Sequence, residues 1–350
     1  MAETLAAFTT LQVGGPAAQL ISPTSSDDLV DALRDAWDSG DEWLILGGGS
    51  NLLIADEGFD GVVIRVCTRG IERLADDAAG DIRLRVQAGE PWYTLVAHTV
   101  DNGWAGIEAL SGIPGLSGAA PIQNIGAYGQ ELASALVGVH FLDRITGELI
   151  WLDAAELELG YRTSALKQGR EGLIVSLEIR LTPAAAAPVH FAQLASALGV
   201  EFGATVSLAE VRSAVRALRG SKGMLLDSAD PDSVSAGSFF TNPIVSAEFA
   251  SGLPGGTPRW PADAAISGEA AAAVKLSAAW LIEHSGISRG FRLPHSRAAV
   301  SRKHTLALVN TGGATAAEIA ELARYIQTRV LGTFGVILQP EPTLVGVFVG

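Results

Sequence analysis

Residues 47–53 read Gly47-Gly48-Gly49-Ser50-Asn51-Leu52-Leu53, directly after the short apolar run Trp43 to Leu46. A strand ending in three consecutive glycines lets the backbone approach a ligand closely, and their N–H groups with the Ser50 hydroxyl suit a diphosphate. The string is not the G-x-G-x-x-G fingerprint, because Leu52 stands in the third glycine's place. Nor is it a P-loop, because no Gly-Lys-Ser/Thr follows. A glycine-rich surface turn explains the pattern equally well.

On the N-terminal side, Leu29, Leu33 and Trp37 recur every four residues, which predicts a helix over Asp27 to Trp37 capped by Ser25 or Ser26. On the C-terminal side, Val62 to Val66 and Ile82 to Val86 read as strands, and Pro91 opens a helix ending near Asn102-Gly103. Gly106 to Gly129 is too irregular for a long helix. Within it, residues 111–129, SGIPGLSGAAPIQNIGAYG, set small residues beside Gln123, Asn124 and Tyr128. That composition suits a flat, largely apolar ligand with an amide-bonding rim, although taken alone it reads more simply as a packed loop.

Further strands are expected at Leu136 to Leu142, Leu149 to Leu152 and Leu173 to Leu181, with a boundary at Thr182 to Pro188. The capping box Ser207-x-x-Glu210 predicts a helix burying Val211, Val215 and Leu218 and stopping at Gly220. Ser251 to Pro261 reads as a surface loop and Val274 to Ile282 as an apolar helical run. Thr315-x-x-Glu318 opens a helix with Ile319, Leu322, Ile326 and Val330 on one face, and strands at Gly335 to Leu338 and Thr343 to Phe348 come after it. Short strands mixed with helices, without strict βαβ alternation, point to an α+β fold.

The 350 residues suffice for two or three domains of roughly 150 residues each. Lys and Arg number 24 against 38 Asp and Glu, a formal charge of −14, which argues against nucleic acid as a partner. One cysteine, Cys67, excludes a disulfide framework and a zinc ribbon and is most simply a packed core residue; the six histidines form no HExxH, so no metal is expected. The start, MAETLAAFTTLQVGG, lacks a basic n-region, and no stretch holds about 18 uninterrupted apolar residues. No membrane insertion is expected, and a cytoplasmic location is.

Four smaller motifs carry chemistry. Gly286-Ile287-Ser288-Arg289-Gly290 fits G-x-S-x-G but lies after an apolar helical run and not a strand, so it reads as a helix-end loop and not a hydrolase elbow. Tyr161-Arg162-Thr163-Ser164-x-x-Lys167 offers a guanidinium for a carboxylate or phosphate, or a solvated surface cluster. Gly237-Ser238-Phe239-Phe240-Thr241-Asn242-Pro243 sets a hydroxyl beside two aromatics, which suits a proton donor or plain strand-edge packing. Glu341 lies between Pro340 and Pro342, which fix its backbone as for a positioned acid; an exposed terminal loop is the default reading.

In this order and spacing, together with Thr9-Thr10-Leu11-Gln12-Val13-Gly14-Gly15-Pro16-Ala17, these segments resemble the UDP-N-acetylenolpyruvoylglucosamine reductases, the MurB family. The resemblance implies a PCMH-type FAD-binding module of two α+β subdomains, 1–68 and 69–185. It also implies an α+β substrate-binding domain over 186–332 and a C-terminal strand, 333–350, returning to the flavin module. It implies an FAD-dependent oxidoreductase in which NADPH reduces non-covalently held FAD and the flavin reduces UDP-N-acetylglucosamine enolpyruvate to UDP-N-acetylmuramate, for peptidoglycan synthesis. A monomer is the simplest assembly.

By motif match, Ser238 is the proton donor, and Arg162 and Glu341 polarise the substrate carboxylate. Glu341 does so in its protonated form, which requires burial or the substrate's own carboxylate to raise its pKa. The cofactor residues implied are Gly47, Gly48, Gly49, Ser50, Asn51 and Leu52, then Ile113, Pro114, Gly115, Gly118, Ala119, Ile122, Gln123, Gly126, Ala127 and Tyr128, and Ile174. Tyr161, Lys222, Asn242 and Lys275 match substrate positions.

The chain departs from the pattern in three places. The usual Glu-Pro-Glu is Gln339-Pro340-Glu341, Phe191 stands where a substrate-closing tyrosine is expected, and Arg289 to Ser301 lacks the usual Ile-Gly-Gly run and following histidine. Two other readings compete: an FAD-dependent oxidase on a related fold, and a flavin- or nucleotide-binding protein without catalysis. No His or Cys for tethering a flavin lies in 47–53 or 106–129, and Ser238, Arg162 and Glu341 are all present, which favours the reductase.

Overall fold

Alternation decides the central sheet. In Ile82–Gln87, Ile82, Leu84 and Val86 are buried while Arg83, Arg85 and Gln87 point outward. The computed structural model describes residues 3–75, 80–261 and 273–349, and the chain divides into two compact units. The larger comprises 18–48 and 60–221. Its main sheet runs Leu149–Asp153, Leu136–Asp143, Gly172–Pro183, Ile82–Gln87, Ile71–Arg73, all antiparallel neighbours. Leu84, Val86, Val139, Phe141, Leu177 and Ile179 form one face, against which Trp92–Asp101 lays Trp92, Leu95 and Val96. Each such fully buried side chain contributes about 1.5–3 kcal/mol. On the outer face, Arg83 and Arg85 converge on Glu178, a cross-strand cluster.

Leu142, Leu173 and Val175, pointing the opposite way, join a second core with Leu29, Leu33 and Trp37 of Ser26–Ser39. The carrier is a small sheet, Ala17–Ile21, Phe59–Arg65, Trp43–Leu46, whose last two strands are parallel. Ser25 is the N-cap, its Oγ accepting from the Asp28 amide. Pro91 is likewise an N-cap and not the first helical residue.

In the stretch Thr182 to Pro188 the strand Gly172–Pro183 ends, and after Ala184 and Ala185 a second strand, Ala186–Pro188, pairs with Thr205–Ser207. Residues 186–221, expected to start the third segment, pack in the larger unit through Val189, Leu194, Val206, Val211 and Val215. Ser207 caps Leu208–Ser221, which runs one residue past Gly220. Cys67, expected in the core, is half-buried.

The smaller unit gathers 3–17, 49–59 and 222–349. Three antiparallel strands lie in the order Ser235–Ser238, Ala307–Asn310, Ala298–Val300, and three more in the order Ile244–Ser246, Ala273–Leu276, Arg259–Pro261. The latter corrects two expectations. Ser251 to Pro261 holds a strand, and the run from Val274 to Ile282 is a strand followed by the helix Ala278–His284, because Ser277 caps the helix by accepting from the Trp280 amide. The helix Ala316–Phe334 buries Ile319, Leu322, Ile326 and Val330 as its spacing predicts. Its N-terminus has the Thr315/Glu318 capping box and the Asp56 carboxylate, which accepts from Ala316 N at 2.7 Å and Ala317 N at 3.0 Å. Gly335 to Leu338 forms no strand; Thr343–Val345 does, and it pairs in parallel with Leu52–Ile54. No helix among the described residues is long and apolar enough to cross a membrane.

Candidate active site

Main-chain hydrogen bonds place the serine and the acid of the smaller unit. Ser238 ends Ser235–Ser238, opposite Ala307. The next residue, Phe239, donates its N–H to Leu306 O at 2.7 Å and accepts at its carbonyl from Glu341 N at 2.9 Å. Glu341 is held again at its carbonyl by Asn51 Nδ2 at 3.2 Å, while Thr343 N donates to Asn51 O at 2.9 Å. Parts of three separate motifs, GGGSNLL, GSFFTNP and QPEP, thus meet through their backbones.

The substrate-type residues of this unit stand nearby in the chain's pairing. Asn242 spends its Oδ1 on the Ala278 amide at 3.0 Å, which turns its NH2 into the end left for a ligand. Lys275 sits mid-strand opposite Ile244 and Trp260. Lys222 lies in the field of His304. Burial pulls that imidazole down to about 4, with Lys222 and Arg289 acting the same way against Glu283. His304 is therefore neutral at pH 7.

Arg162 in the larger unit is placed by side-chain lacing. Its Nη2 donates to Gly126 O at 2.6 Å, its Nη1 to Asn124 O at 3.3 Å, and its guanidinium lies 5.5 Å from the Tyr161 ring centroid. Ser164 Oγ donates to Ile122 O at 2.6 Å, and the buried Asn124 returns a bond from Nδ2 to Gly160 O at 3.1 Å. YRTSALK and the 113–129 loop are therefore one structure. Asn124, Tyr128 and Arg162 all have left-handed backbones, φ 43°, 49° and 55°, and non-glycine residues held so cluster at functional sites.

Sequence reasoning missed Arg219. It donates from Nε to Gly112 O at 3.0 Å; burial pulls its guanidinium down to about 10, Tyr128 opposing and Arg162 assisting. Burial in turn raises the Tyr128 phenol, Arg219 opposing. Arg162 and Arg219 lie in each other's field, and neighbouring guanidiniums suit an anion. The signal was present: Arg219 continues the Val211, Val215 spacing of its helix, a cation on the buried stripe.

The glycine loops meet as well. A Cβ on Gly48 would stand 2.8 Å from Gly115 Cα, so the two backbones touch only because glycine is there. A Cβ on Gly49, at φ 58°, would stand 1.9 Å from Phe8 O. Among the described residues, no protein acceptor takes the amides of Gly47, Gly48 or Gly49. Three adjacent donors fit a diphosphate, which is the requirement FAD sets.

Other expected cofactor positions differ in character. Gly118 packs on Ala88, where a Cβ would stand 2.5 Å from the Ala88 Cβ, and Ile174 is a buried core side chain. Ala119 and Ile122 are exposed, while Ile113, Pro114, Gln123 and Ala127 are half-buried. Phe191, in the tyrosine's place, lies partly exposed and edge-on to Tyr128, ring centroids 5.7 Å apart. The described residues contain no cluster of His, Cys, Asp or Glu suited to a metal.

Comparison with known proteins agrees with this geometry. Residues 17–153 match the FAD binding domain family, and residues 230–345 the family of the UDP-N-acetylenolpyruvoylglucosamine reductase C-terminal domain. The chain is 56% identical to the UDP-N-acetylenolpyruvoylglucosamine reductase of Leifsonia xyli subsp. xyli, covering 98% of each chain. It is 48% identical to that of Saccharopolyspora erythraea, covering 97% of this chain and 94% of that one. The crystal structure of UDP-N-acetylenolpyruvylglucosamine reductase (MurB) from Thermus caldophilus superposes with a TM-score of 0.63 at 25% identity, covering 98% and 97%. With family matches in both parts of the sequence and relatives this similar over its whole length, the chain belongs to the UDP-N-acetylenolpyruvoylglucosamine reductase family.

Proposed function

We propose that this chain reduces the enolpyruvyl ether of UDP-N-acetylenolpyruvoylglucosamine to the lactyl ether of UDP-N-acetylmuramate, with FAD as cofactor and NADPH as donor, in the cytoplasm. The full-length likeness to reductases of that name supports the substrate, and the FAD binding domain match supports the cofactor. The observation that carries the chemistry is the backbone tie between the Ser238 strand and Glu341, the Glu341 N–H on Phe239 O at 2.9 Å. The motif that carries the serine and the motif that carries the acid are thus tied main chain to main chain.

Gly47, Gly48, Gly49 and Ser50 would hold the FAD diphosphate, with Gly115 and Tyr128 on the second loop. Bound FAD supplies the hydride carrier between the nicotinamide and the vinyl carbon. When that carbon gains hydride, the double-bond electrons move to the adjacent carbon and its carboxylate. Arg162 and Arg219 meet this charge with charge-assisted N–H···O bonds. Glu341, as the neutral acid, donates a hydrogen bond to the same carboxylate. The Ser238 hydroxyl gives its proton to the carbanionic carbon. Serine is a weak acid, so it waits for a base that strong. Tyr161, Lys222, Asn242 and Lys275 take the rest of the sugar nucleotide in this reading. Segments 1–68 and 69–185 keep the cofactor role and 186–332 the substrate role.

Anaerobic visible absorption tests it. Yellow enzyme should bleach with NADPH and recolour when the enolpyruvyl sugar nucleotide is added. Ser238→Ala should bleach normally and recolour very slowly. Normal recolouring of that variant would remove Ser238 as donor, and recolouring of the wild type only in air would indicate an oxidase.

A further inference from the structure

Thr10 joins the strand of Ser238 to the glycine loop. Its N–H donates to Gly49 O at 3.1 Å and its hydroxyl to Ser235 O at 2.6 Å, with a longer approach of 3.4 Å to Gly49 O. Ser235 begins the strand that Ser238 ends, and that strand is irregular. Ser235 pairs with Val309 and Ser238 with Ala307, so three steps on one side answer two on the other.

The extra residue is a bulge, with Gly237 at φ 73°. A bulge re-aims the side chain next to it, and here that side chain is Ser238. The Phe239 N–H on Leu306 O, at 2.7 Å, fixes the bulge from its far side. Ser235 does so from both ends of its own residue: its Oγ accepts from Gly237 N at 3.2 Å and its carbonyl accepts from Thr10.

The Thr10 hydroxyl is not what keeps its own segment in place. Leu11 is fully buried, Thr9 Oγ1 donates to Val13 O at 2.8 Å, and Asn310 Nδ2 donates to Leu11 O at 3.0 Å. Asn310 N also donates to Val234 O at 3.0 Å, so the neighbouring turn has its own anchor. The hydroxyl is thus spared a general folding role, its short bond going to Ser235 O and its longer one to Gly49 O.

We infer that Thr10 is a positioning residue for the proton transfer: by holding the Ser235 carbonyl it fixes the bulge that aims Ser238, and through its amide it ties that aim to Gly49. The inference rests on the donor role proposed for Ser238.

Thr10→Val keeps the shape and removes the hydroxyl, and Thr10→Ser restores it. FAD titration and the visible spectrum report on the loop, and anaerobic stopped flow separates the two half-reactions. Thr10→Val should bind FAD and bleach with NADPH as the wild type does, with KM for the enolpyruvyl substrate unchanged. Its recolouring rate should fall on the order of tenfold to a hundredfold and acquire a larger solvent deuterium isotope effect, and Thr10→Ser should recover it. An unchanged recolouring rate, an equal fall in both half-reactions, weakened FAD binding, or failure of Thr10→Ser to rescue would overturn it. Should Thr10→Val not fold, Ser235→Ala loosens the same bulge and must show the same selective loss. Ser238→Ala run alongside separates the two ideas. If that variant is slow while Thr10→Val is normal, only the positioning falls; if it recolours normally, the donor reading falls first.

Discussion

Ser238 and Glu341 are held by main-chain hydrogen bonds at a strand end and the loops beside it, whereas Arg162 and Arg219 are held by side chains reaching loop carbonyls. The first region has almost no conformational slack. Phe239, Glu341, Asn51 and Thr343 exchange backbone or amide bonds in series, and Gly49 touches Phe8 with no space for a Cβ. The second stores strain, with Asn124, Tyr128 and Arg162 at positive φ and two guanidiniums in mutual repulsion. The two should therefore yield to substitution in different ways. Backbone-paired geometry fails by loss of structure, and strained, charge-loaded geometry fails by loss of function with stability kept or even raised.

The largest effect should come from the first region. Gly49→Ala places a Cβ 1.9 Å from Phe8 O at φ 58°, and a protein that neither holds FAD nor melts cooperatively is expected; normal visible absorption and a normal melt would show more slack there than claimed.

Arg162→Lys keeps the charge but cannot reproduce two N–H bonds to Asn124 O and Gly126 O. The substrate-dependent recolouring should slow by roughly 10² or more, as for loss of an oxyanion donor, with the melting temperature nearly unchanged. Equal losses in both would erase the contrast.

Arg219→Leu should raise KM for the enolpyruvyl substrate roughly tenfold, loss of about 1.4 kcal/mol of binding. Its melting temperature should not fall, because the cost of burying the guanidinium is removed with the charge. Steady-state kinetics beside calorimetry decides, and a large drop in stability would make Arg219 structural.

His304→Gln gives a smaller effect, visible only in acid. The folded ring sits at about 4 against an ordinary 6.5. Between those values the unfolded chain binds a proton that the folded chain refuses, so stability falls as pH drops through that window. The variant should show a shallower fall of melting temperature there and no difference above about pH 7. Thr315→Ala should cost about 1 kcal/mol of stability for one lost cap and leave both half-reactions intact.

Local features were legible because they close within one helical turn. Ser25 to Asp28, Ser207 to Glu210 and Thr315 to Glu318 are contacts three residues apart, which the chain writes directly. Alternation in Ile82–Gln87 and the four-residue stripe of Ser26–Ser39 needed only knowledge of which side is apolar. The spaced motifs were enough to mark the family.

Partner-dependent features were not. Val274 to Ile282 reads as one apolar run, yet its first part is a strand because Ile244–Ser246 offers an edge and Ser277 caps the helix beyond it. Val336 and Leu338 alternate like a strand but have no ladder; Gln327 Nε2 satisfies the Leu338 carbonyl at 2.8 Å instead.

The order of amino acids was thus sufficient to specify the caps, the stripes, the α+β character and the motif series. Assembly of the fold was needed to settle that residues 186–221 pack in the larger unit, that Arg219 joins Arg162, and that Thr10 clasps Ser235. The physical reason is common to these cases. Hydrophobic periodicity and capping chemistry specify that a group will be buried or bonded, while the identity of its partner, often far away along the chain, is set by which surfaces and carbonyls the fold brings within reach.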